Sequence, residues 1–336
     1  MSRREELTKH IRPEPREAFG IEVGPWFNPI FPKKEGYRCL VLDVYDRSTL
    51  ESRALHDCNV PKEAIPNIEE VDLLGAATEI QELAEGAGYS PQIFDYVVSS
   101  HNFEHLPNPI RFLQGCAKVL KPGGILAMAI PDLRACFDYF RPPTLLAEWL
   151  EAYVANRHRP TISQWFAQHS LQALFERDGR QELTSSLRED PTKFIPLRTL
   201  AEAWNQWNAW NGEENQTYHD AHCSTFTPAS FSLLIEDLRF LDLIDFSIVE
   251  VVKPGGFEFF VHLKRGKTFG QGDESSDAFY EKRRTLLFQI KDELAENSPI
   301  YQNALEALEK KRLGIRLRLR RWEQKLRKVR KAVFTR

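Results

Sequence analysis

Short apolar segments alternate with helix-competent segments along the first 130 residues of the chain. The apolar segments predict buried strands at 18–24, 37–43 and 71–74, and the stretches 46–55 and 77–85 predict helices between and after them. Alternation of this kind requires parallel pairing of the strands, with helices on both faces of the sheet. The pattern therefore predicts an α/β fold.

The segment 94–132 is typical of a strand, a helix and a second strand. Pro109 favours a helix start, and the Lys-Pro-Gly-Gly turn at 121–124 closes that helix before the second buried strand. Ligands of doubly wound sheets bind beyond the carboxyl ends of the strands. Residues 99–105 and 131–132 are therefore predicted to face a site.

The end of the sheet is predicted from the pattern after residue 226. Thr227 as N-cap and Pro228 in the first turn predict a helix that runs to about Phe240. Strands at 246–252 and 257–263, joined by a second Lys-Pro-Gly-Gly turn, predict an antiparallel hairpin. The predicted fold is a doubly wound, mostly parallel seven-stranded sheet that ends in this hairpin.

Charge is distributed unevenly along the chain. The formal net charge is −3, but residues 310–336 carry about +12, which leaves about −15 on residues 1–309. An acidic body is a poor nucleic-acid binder, so any anionic partner is expected to meet the tail. Five cysteines without a CxxC pair, no signal-peptide pattern and no long apolar run predict a cytoplasmic protein.

The order of these motifs resembles that of the class I S-adenosylmethionine-dependent methyltransferases, in particular small-molecule and sugar-type enzymes of bacterial polysaccharide biosynthesis. The resemblance covers roughly residues 18–133 and 217–265. It implies a methyltransferase domain at 1–133 and 217–265 and S-adenosylmethionine as the cofactor. Residues 134–216 are then predicted to form a mostly helical cap over the acceptor pocket.

The resemblance implies cofactor contacts at the first two strand ends. In Glu22-Val23-Gly24-Pro25, the glycine allows close approach of the main chain and the glutamate would be linked to the cofactor's ammonium group, directly or through water. This turn has one of the family's usual glycines. Asp43, at the end of the next strand, matches the acid that binds both ribose hydroxyls.

Three further positions are assigned to the cofactor by the same resemblance. Ala76 lies where many members place an adenine-reading acid, and backbone groups would replace that acid here. Ser100 and His101 are placed beside the cofactor.

The sequence His101 to His105 also fits the HxxEH zinc pattern of inverted zinc peptidases. That pattern requires a long helix, and Pro107 prevents a regular helix from extending downstream. No metal site is predicted, although a Glu104–His105 pair contacting a divalent ion is left open.

Transfer of a methyl group to a hydroxyl requires that the oxygen lose its proton, and a neutral imidazole suits that role. His101, His219 and His222 are the candidate bases. The tryptophans of the cap are expected mainly to pack it onto the sheet, with Trp207 or Trp210 as candidates to line a sugar pocket.

The C-terminal extension 275–336 has apolar residues at seven-residue spacing, including Leu287, Tyr301 and Leu308. Its basic flanks favour pairing with another helix or contact with an anionic membrane, and the alternative is packing of the stripe on its own domain.

The predicted function is methyl transfer from S-adenosylmethionine to a carbohydrate or other small acceptor, most simply through oxygen. The alternatives are a non-catalytic scaffold that acts through the basic helix, and an HxxEH metallohydrolase.

Overall fold

The computed structural model describes residues 2–211, 218–252, 256–266 and 276–312, except for 297, 300, 302, 306 and 309. The named α-helices are α1 (Arg3–Thr8), α2 (Arg47–His56), α3 (Ile80–Gly86), α4 (Pro109–Val119), α5 (Leu146–Val154), α6 (Ile162–Leu171), α7 (Leu200–Asn211), α8 (Pro228–Phe240) and α9 (Ser276–Glu296). The strands are β1 (Phe19–Val23), β2 (Arg38–Asp43), β3 (Leu73–Leu74), β4 (Phe94–Ser100), β5 (Leu120–Pro131), β6 (Ala173–Arg177), β7 (Arg180–Glu182), β8 (Phe194–Pro196), β9 (Phe246–Val252) and β10 (Glu258–Arg265).

The main sheet has seven strands in the order β3-β2-β1-β4-β5-β10-β9. The first five pair in parallel, β10 pairs antiparallel with β5, and β9 pairs antiparallel with β10. The predicted fold class is confirmed. The reversed strand β10 lies one position inside the sheet, so β9 forms the edge.

The central strand β4 shows why the sheet needs cover on both faces. Phe94 and Val97 belong to the apolar cluster on one face, while Tyr96 and Val98 belong to the cluster on the other. A side chain on Gly20 of β1 would place its Cβ 2.3 Å from the Tyr96 ring, so glycine is required there. Strands buried on both faces carry nearly continuous apolar runs, which explains the strong sequence signal.

Each face of the sheet is covered by different elements. The larger cluster joins the sheet to residues of α3, α4, α5 and α8. The second cluster joins it to Leu7 of α1, to Ile11 and to Ile30 and Phe31 after β1. The amino-terminal segment therefore belongs to the core of the sheet domain.

The long segment between β5 and α8, called the insertion below, contains α5, α6 and α7. It also contains a three-stranded antiparallel sheet in the order β7-β6-β8, which the sequence analysis did not predict. The chain returns to the main sheet where Leu133 N–H donates to Phe226 O, at 2.9 Å. This return places residues 218–226 at the carboxyl edge of the sheet.

Helix α8 begins and ends as predicted, with the Thr227 hydroxyl accepting from Ser230 N–H. Helix α9 packs along α8, and Phe279 stacks on Phe240 with ring centroids 3.8 Å apart. Residues 313–336, which hold most of the basic tail, lie outside the described residues. Among the described residues, no helix combines the length and the apolar composition that crossing a bilayer requires.

Candidate active site

The tips of β1, β2 and β3 lie side by side at the carboxyl edge of the sheet. Gly24 N–H donates to Leu42 O at 2.9 Å, and Gly75 N–H donates to Asp43 O at 2.9 Å. The predicted cofactor residues Gly24, Asp43 and Ala76 therefore occupy three consecutive strand tips. Parallel strands bring about this arrangement because all their carboxyl ends share one edge.

Gly24 has a φ of +60°, a region that glycine adopts without cost. A Cβ built at this position would have Asn102 Nδ2 at 3.4 Å as its nearest atom, which is an ordinary contact distance. Glycine is therefore favoured here for its backbone conformation, and the Asn102 side chain lies against it.

Glu22 lies two residues before Gly24, and it is buried, with 2% of its surface exposed. Its two carboxylate oxygens accept hydrogen bonds from Ile30 N–H at 2.7 Å and from Phe31 N–H at 3.0 Å. Burial raises the pKa of Glu22 to about 7, against the lowering effect of these two bonds. The carboxylate therefore fastens the segment that follows the glycine turn, in which Asn28 N–H donates to Pro25 O. We assign Glu22 this holding role rather than direct contact with an ammonium group.

Asp43 is half-buried at the tip of β2. Its Oδ1 accepts from Tyr45 N–H at 3.1 Å, and burial raises its pKa. A carboxylate at the tip of the strand next to the glycine turn has the acceptor oxygens that two ribose hydroxyls require, which is the role that the sequence analysis assigned to it.

The end of β4 carries Ser100 and His101 next to Gly24. His101 has a φ of +51°, and its Nε2 lies 2.6 Å from Glu258 Oε2 on β10. Arg3 of α1 also contacts Glu258 Oε2, at 2.8 Å. Burial acts to raise the pKa of Glu258, but the bonds from His101 and Arg3 outweigh it and lower that pKa. The ionised Glu258 holds the His101 ring through Nε2, so Nδ1 lies on the side of the ring that faces away from Glu258.

Three imidazoles surround one oxygen of the buried Glu104. Glu104 Oε1 lies 3.8 Å from His101 Nδ1, 3.8 Å from His105 Nε2 and 4.0 Å from His222 Nε2. His222 reaches this position because Ser224 N–H donates to Glu104 O. The structure thus brings together two of the three predicted bases, His101 and His222, with the Glu104–His105 pair.

A second carboxylate fixes each of the other two imidazoles. His105 Nδ1 lies 3.0 Å from Asp220 Oδ1, and His222 Nδ1 lies 2.5 Å from Asp138 Oδ2. Burial acts to raise the pKa of Asp138, but His222 and Arg141 lower it to about 2. Burial acts to lower the pKa of His105, but Asp220 and Glu104 raise it.

His219, the remaining predicted base, lies beside Trp165 of α6. It is half-buried, and the centroids of the two rings are 6.4 Å apart. Trp207 packs against Trp204 and Phe166, which agrees with the packing role expected of most cap tryptophans. The side chain of Trp210 lies outside the described residues.

The sequence analysis missed the carboxylates behind the imidazoles, Asp138, Asp220 and Glu258. Asp138 lies in the insertion and Glu258 on the reversed strand, and neither belongs to a motif. Asp220 stands between His219 and His222, and this is the one local signal that pointed to it.

The zinc peptidase alternative is wrong. It required both histidines of HxxEH on one face of a long helix, whereas Phe103–His105 form a single 3₁₀ turn and His101 has a left-handed backbone.

Comparison with known proteins identifies the fold's family. Residues 18–185 match the sequence model of a family described as a methyltransferase domain. A stretch of 53 residues is 51% identical to a ubiquinone biosynthesis O-methyltransferase of Caulobacter vibrioides, covering 16% of this chain and 19% of that protein. The chain therefore spans about a fifth of the length of the curated relatives that it matches.

Two solved methyltransferase structures resemble the chain at low TM-scores. A SAM-dependent methyltransferase from Methanosarcina mazei is 14% identical at a TM-score of 0.36, covering 75% of this chain and 93% of that one. The CcbJ methyltransferase from Streptomyces caelestis is 12% identical at a TM-score of 0.39, covering 79% and 88%. Likenesses at these TM-scores add nothing to the family match. Since that match spans half of the chain and the sheet has the expected strand order, the chain belongs to the class I S-adenosylmethionine-dependent methyltransferases.

Proposed function

We propose that this enzyme transfers the methyl group of S-adenosylmethionine to a hydroxyl oxygen of a small acceptor. The observation that carries this proposal is the Glu258–His101 pair at the end of β4, next to the glycine turn at the end of β1. An imidazole held by a carboxylate is the arrangement that a general base for a hydroxyl requires.

The cofactor supplies an electrophilic methyl group on a sulfonium. Gly24 and Pro25 would line its amino acid part, Asp43 would accept hydrogen bonds from the ribose hydroxyls, and the main chain at Ala76 would face the adenine. Ser100 and His101 would lie between the cofactor and the acceptor. The protein's largest contribution is orientation, because holding the methyl carbon and the attacking oxygen in line removes most of the entropic barrier.

In this proposal His101 takes the acceptor's proton. As the oxygen bonds to the methyl carbon and the carbon–sulfur bond breaks, the hydroxyl proton passes to Nδ1 of His101. Glu258 stabilises the resulting imidazolium through its bond to Nε2. His222 is less suited, because its side chain is 7% exposed, against 30% for His101, and an acceptor can reach it less easily.

We further propose a carbohydrate or another small hydroxylated compound as the acceptor. The insertion between β5 and α8 lies over the carboxyl edge through residues 218–226 and can limit the size of the acceptor. The short match to ubiquinone biosynthesis O-methyltransferases favours oxygen as the methylated atom.

A radiolabelled methyl-transfer assay across nucleotide sugars, glycans and phenols tests this proposal. We expect one acceptor class to be labelled, and His101→Ala to reduce turnover at least about a hundredfold, the low end for general-base catalysis. His158→Ala, which removes a half-exposed imidazole that contacts Glu79, is the matched control. Turnover unchanged in His101→Ala would exclude this residue as the base, and labelling of nitrogen or carbon would exclude O-methylation.

We also propose that the enzyme works in the cytoplasm and that its C-terminal extension contacts the anionic inner face of a membrane. Leu287 and Tyr301 are about 40% exposed and Leu308 is 61% exposed, so these positions of the seven-residue stripe are not packed on the sheet domain. Residues 310–336, which follow this stripe, carry a net charge of about +12. An exposed apolar stripe followed by a basic segment is typical of helices that lie in a membrane interface.

A further inference from the structure

The buried carboxyl group of Glu104 lacks hydrogen bonds from the described side chains around it. Its side chain is 1% exposed, and Oε2 has no hydrogen-bond partner among the described residues. The three imidazole nitrogens around Oε1 lie at 3.8 to 4.0 Å, beyond hydrogen-bond distance. A buried carboxylate without such bonds is costly unless a cation lies next to it.

The spacing of these groups suits a metal ion. The ligand atoms of Glu104, His105 and His222 all lie within 4.8 Å of one another. In a tetrahedral site with ligand bonds of about 2.0 to 2.1 Å, ligand atoms stand about 3.4 Å apart. The two distances from Glu104 Oε1 to the Nε2 atoms exceed this value by about half an ångström, and the third separation is at most 4.8 Å. Side-chain movements of about an ångström would therefore bring the carboxylate oxygen and both Nε2 atoms into coordination.

The outer contacts of both histidines have the form that metal sites use. Each has its Nδ1 on a carboxylate, Asp220 for His105 and Asp138 for His222, and each turns its Nε2 toward Glu104. Such carboxylate–histidine pairs select the tautomer whose lone pair faces the metal and raise its basicity.

We propose that Glu104, His105 and His222 bind a divalent transition-metal ion of the zinc type. Two imidazoles and one carboxylate form the ligand set of catalytic zinc sites that keep a coordination position open, whereas magnesium prefers oxygen ligands. His101 lies outside this group of three and remains available as the base. With one coordination position left open, the ion would hold the acceptor's hydroxyl oxygen beside His101. That last step rests on the proposed methylation, but the binding of the ion does not.

A second group provides the matched control. His10, Glu250 and His262 also have ligand atoms within 4.8 Å of one another. There, however, the Lys9 ammonium lies 2.8 Å from the same Glu250 oxygen that contacts His10. Because a cation is already present on that carboxylate, we expect no metal ion in this group.

The test is zinc binding to the chelator-stripped full-length protein, without cofactor or acceptor. Calorimetry with Zn²⁺, and the visible absorption of Co²⁺ as a spectroscopic substitute, should show one tight site that Mg²⁺ does not displace. Glu104→Gln and His222→Gln should each weaken Zn²⁺ binding at least tenfold, whereas His10→Gln should leave it unchanged. Thermal unfolding checks that each variant is folded.

Should the two buried variants fail to fold, Asp220→Asn keeps the proposal testable. The Asp220 side chain is 59% exposed, and loss of such an outer partner weakens metal binding by about 10- to 100-fold. Absence of tight binding in the wild type, unchanged affinity in Asp220→Asn, or loss of the site in His10→Gln alone would overturn the proposal. A failure of methyl transfer alone would bear on the proposed function and not on the metal site.

Discussion

At the scale of single residues, the carboxylates at the carboxyl edge of the sheet differ in what they bind. Glu22 holds two main-chain N–H groups, Asp43 stands half-buried at an open strand tip, and Glu104 faces imidazoles. The same functional group therefore fastens the glycine turn, presents acceptors to a ligand and provides charge for a cation. These roles lead to separate predictions.

Asp43→Ala should weaken the binding of S-adenosylmethionine at least tenfold, because hydrogen bonds to a charged group contribute about 1.5 to 3 kcal/mol. Isothermal titration calorimetry measures this affinity directly. Glu176→Ala, which removes an exposed carboxylate from the insertion, should have no effect. Equal affinities of Asp43→Ala and the wild type would remove Asp43 from the cofactor site.

Glu22 should make stability fall as pH rises through neutrality. Its pKa in the folded protein is about 7, above the ordinary value of 4.5. The protonated form therefore contributes stability that is fully present below about pH 4.5 and lost as pH rises through about 7. Since one pKa unit corresponds to about 1.36 kcal/mol, the free energy of unfolding should fall by about 2 to 3 kcal/mol between pH 5 and pH 8, relative to Glu22→Gln.

Urea unfolding at several pH values measures this difference. Glu63→Gln, at an exposed glutamate, should follow the wild-type pH profile. If the free energy of unfolding depends on pH in the same way in the wild type and in Glu22→Gln, the pKa of Glu22 is not raised in the folded protein.

At the scale of elements, the C-terminal helix is attached to the sheet domain through one face of α8. Phe279 is 3% exposed and stacks on Phe240, while Arg283 contacts Asp237 at 2.9 Å. Further along, Glu293 accepts from Ala229 N–H at the start of α8. The contacts of α9 thus use other positions than the seven-residue stripe, which leaves part of that stripe exposed.

Phe279→Ala should destabilise the protein by about 3 kcal/mol or more, since it removes a buried aromatic ring and leaves a cavity against α8. Phe288→Ala removes the same side chain from the same helix at a position that is 57% exposed, and should change stability by less than about 0.5 kcal/mol. Denaturant unfolding compares the two. Similar losses in both variants would contradict the docking of α9 through Phe279.

At the scale of the whole molecule, opposite charges lie on different parts of the chain. Residues 1–309 carry about −15 and residues 310–336 about +12. An acidic body is repelled by an anionic surface, so attraction to such a surface must come from the tail, where each basic residue contributes about 1 kcal/mol.

Deletion of residues 310–336 should therefore abolish co-sedimentation with vesicles that contain anionic lipid. The full chain should bind these vesicles at low salt, lose binding as salt rises, and not bind vesicles of neutral phosphatidylcholine. Binding that is equal with and without the tail would rule out the membrane proposal. Salt-independent self-association that is lost with the tail would indicate pairing with another helix instead.

Local pattern was sufficient for the sheet because its strands are buried on both faces and its helices carry clear starts. The runs that end at Asp43 and at Ser100 and the Thr227–Pro228 start needed no tertiary information. The small sheet of β6, β7 and β8 was missed because its strands have three to five residues, too few for a periodic signal.

What the sequence by itself determined is therefore the fold, the family resemblance and the strand tips at which we expect cofactor contacts, since each depends on residues close together in the chain. The environment of the imidazoles was decided only by the tertiary structure. The partners of His101, His105 and His222 are 157, 115 and 84 residues away along the chain. No local pattern encodes such pairs, because they form only when β10, the insertion and the end of β4 meet at one edge of the sheet.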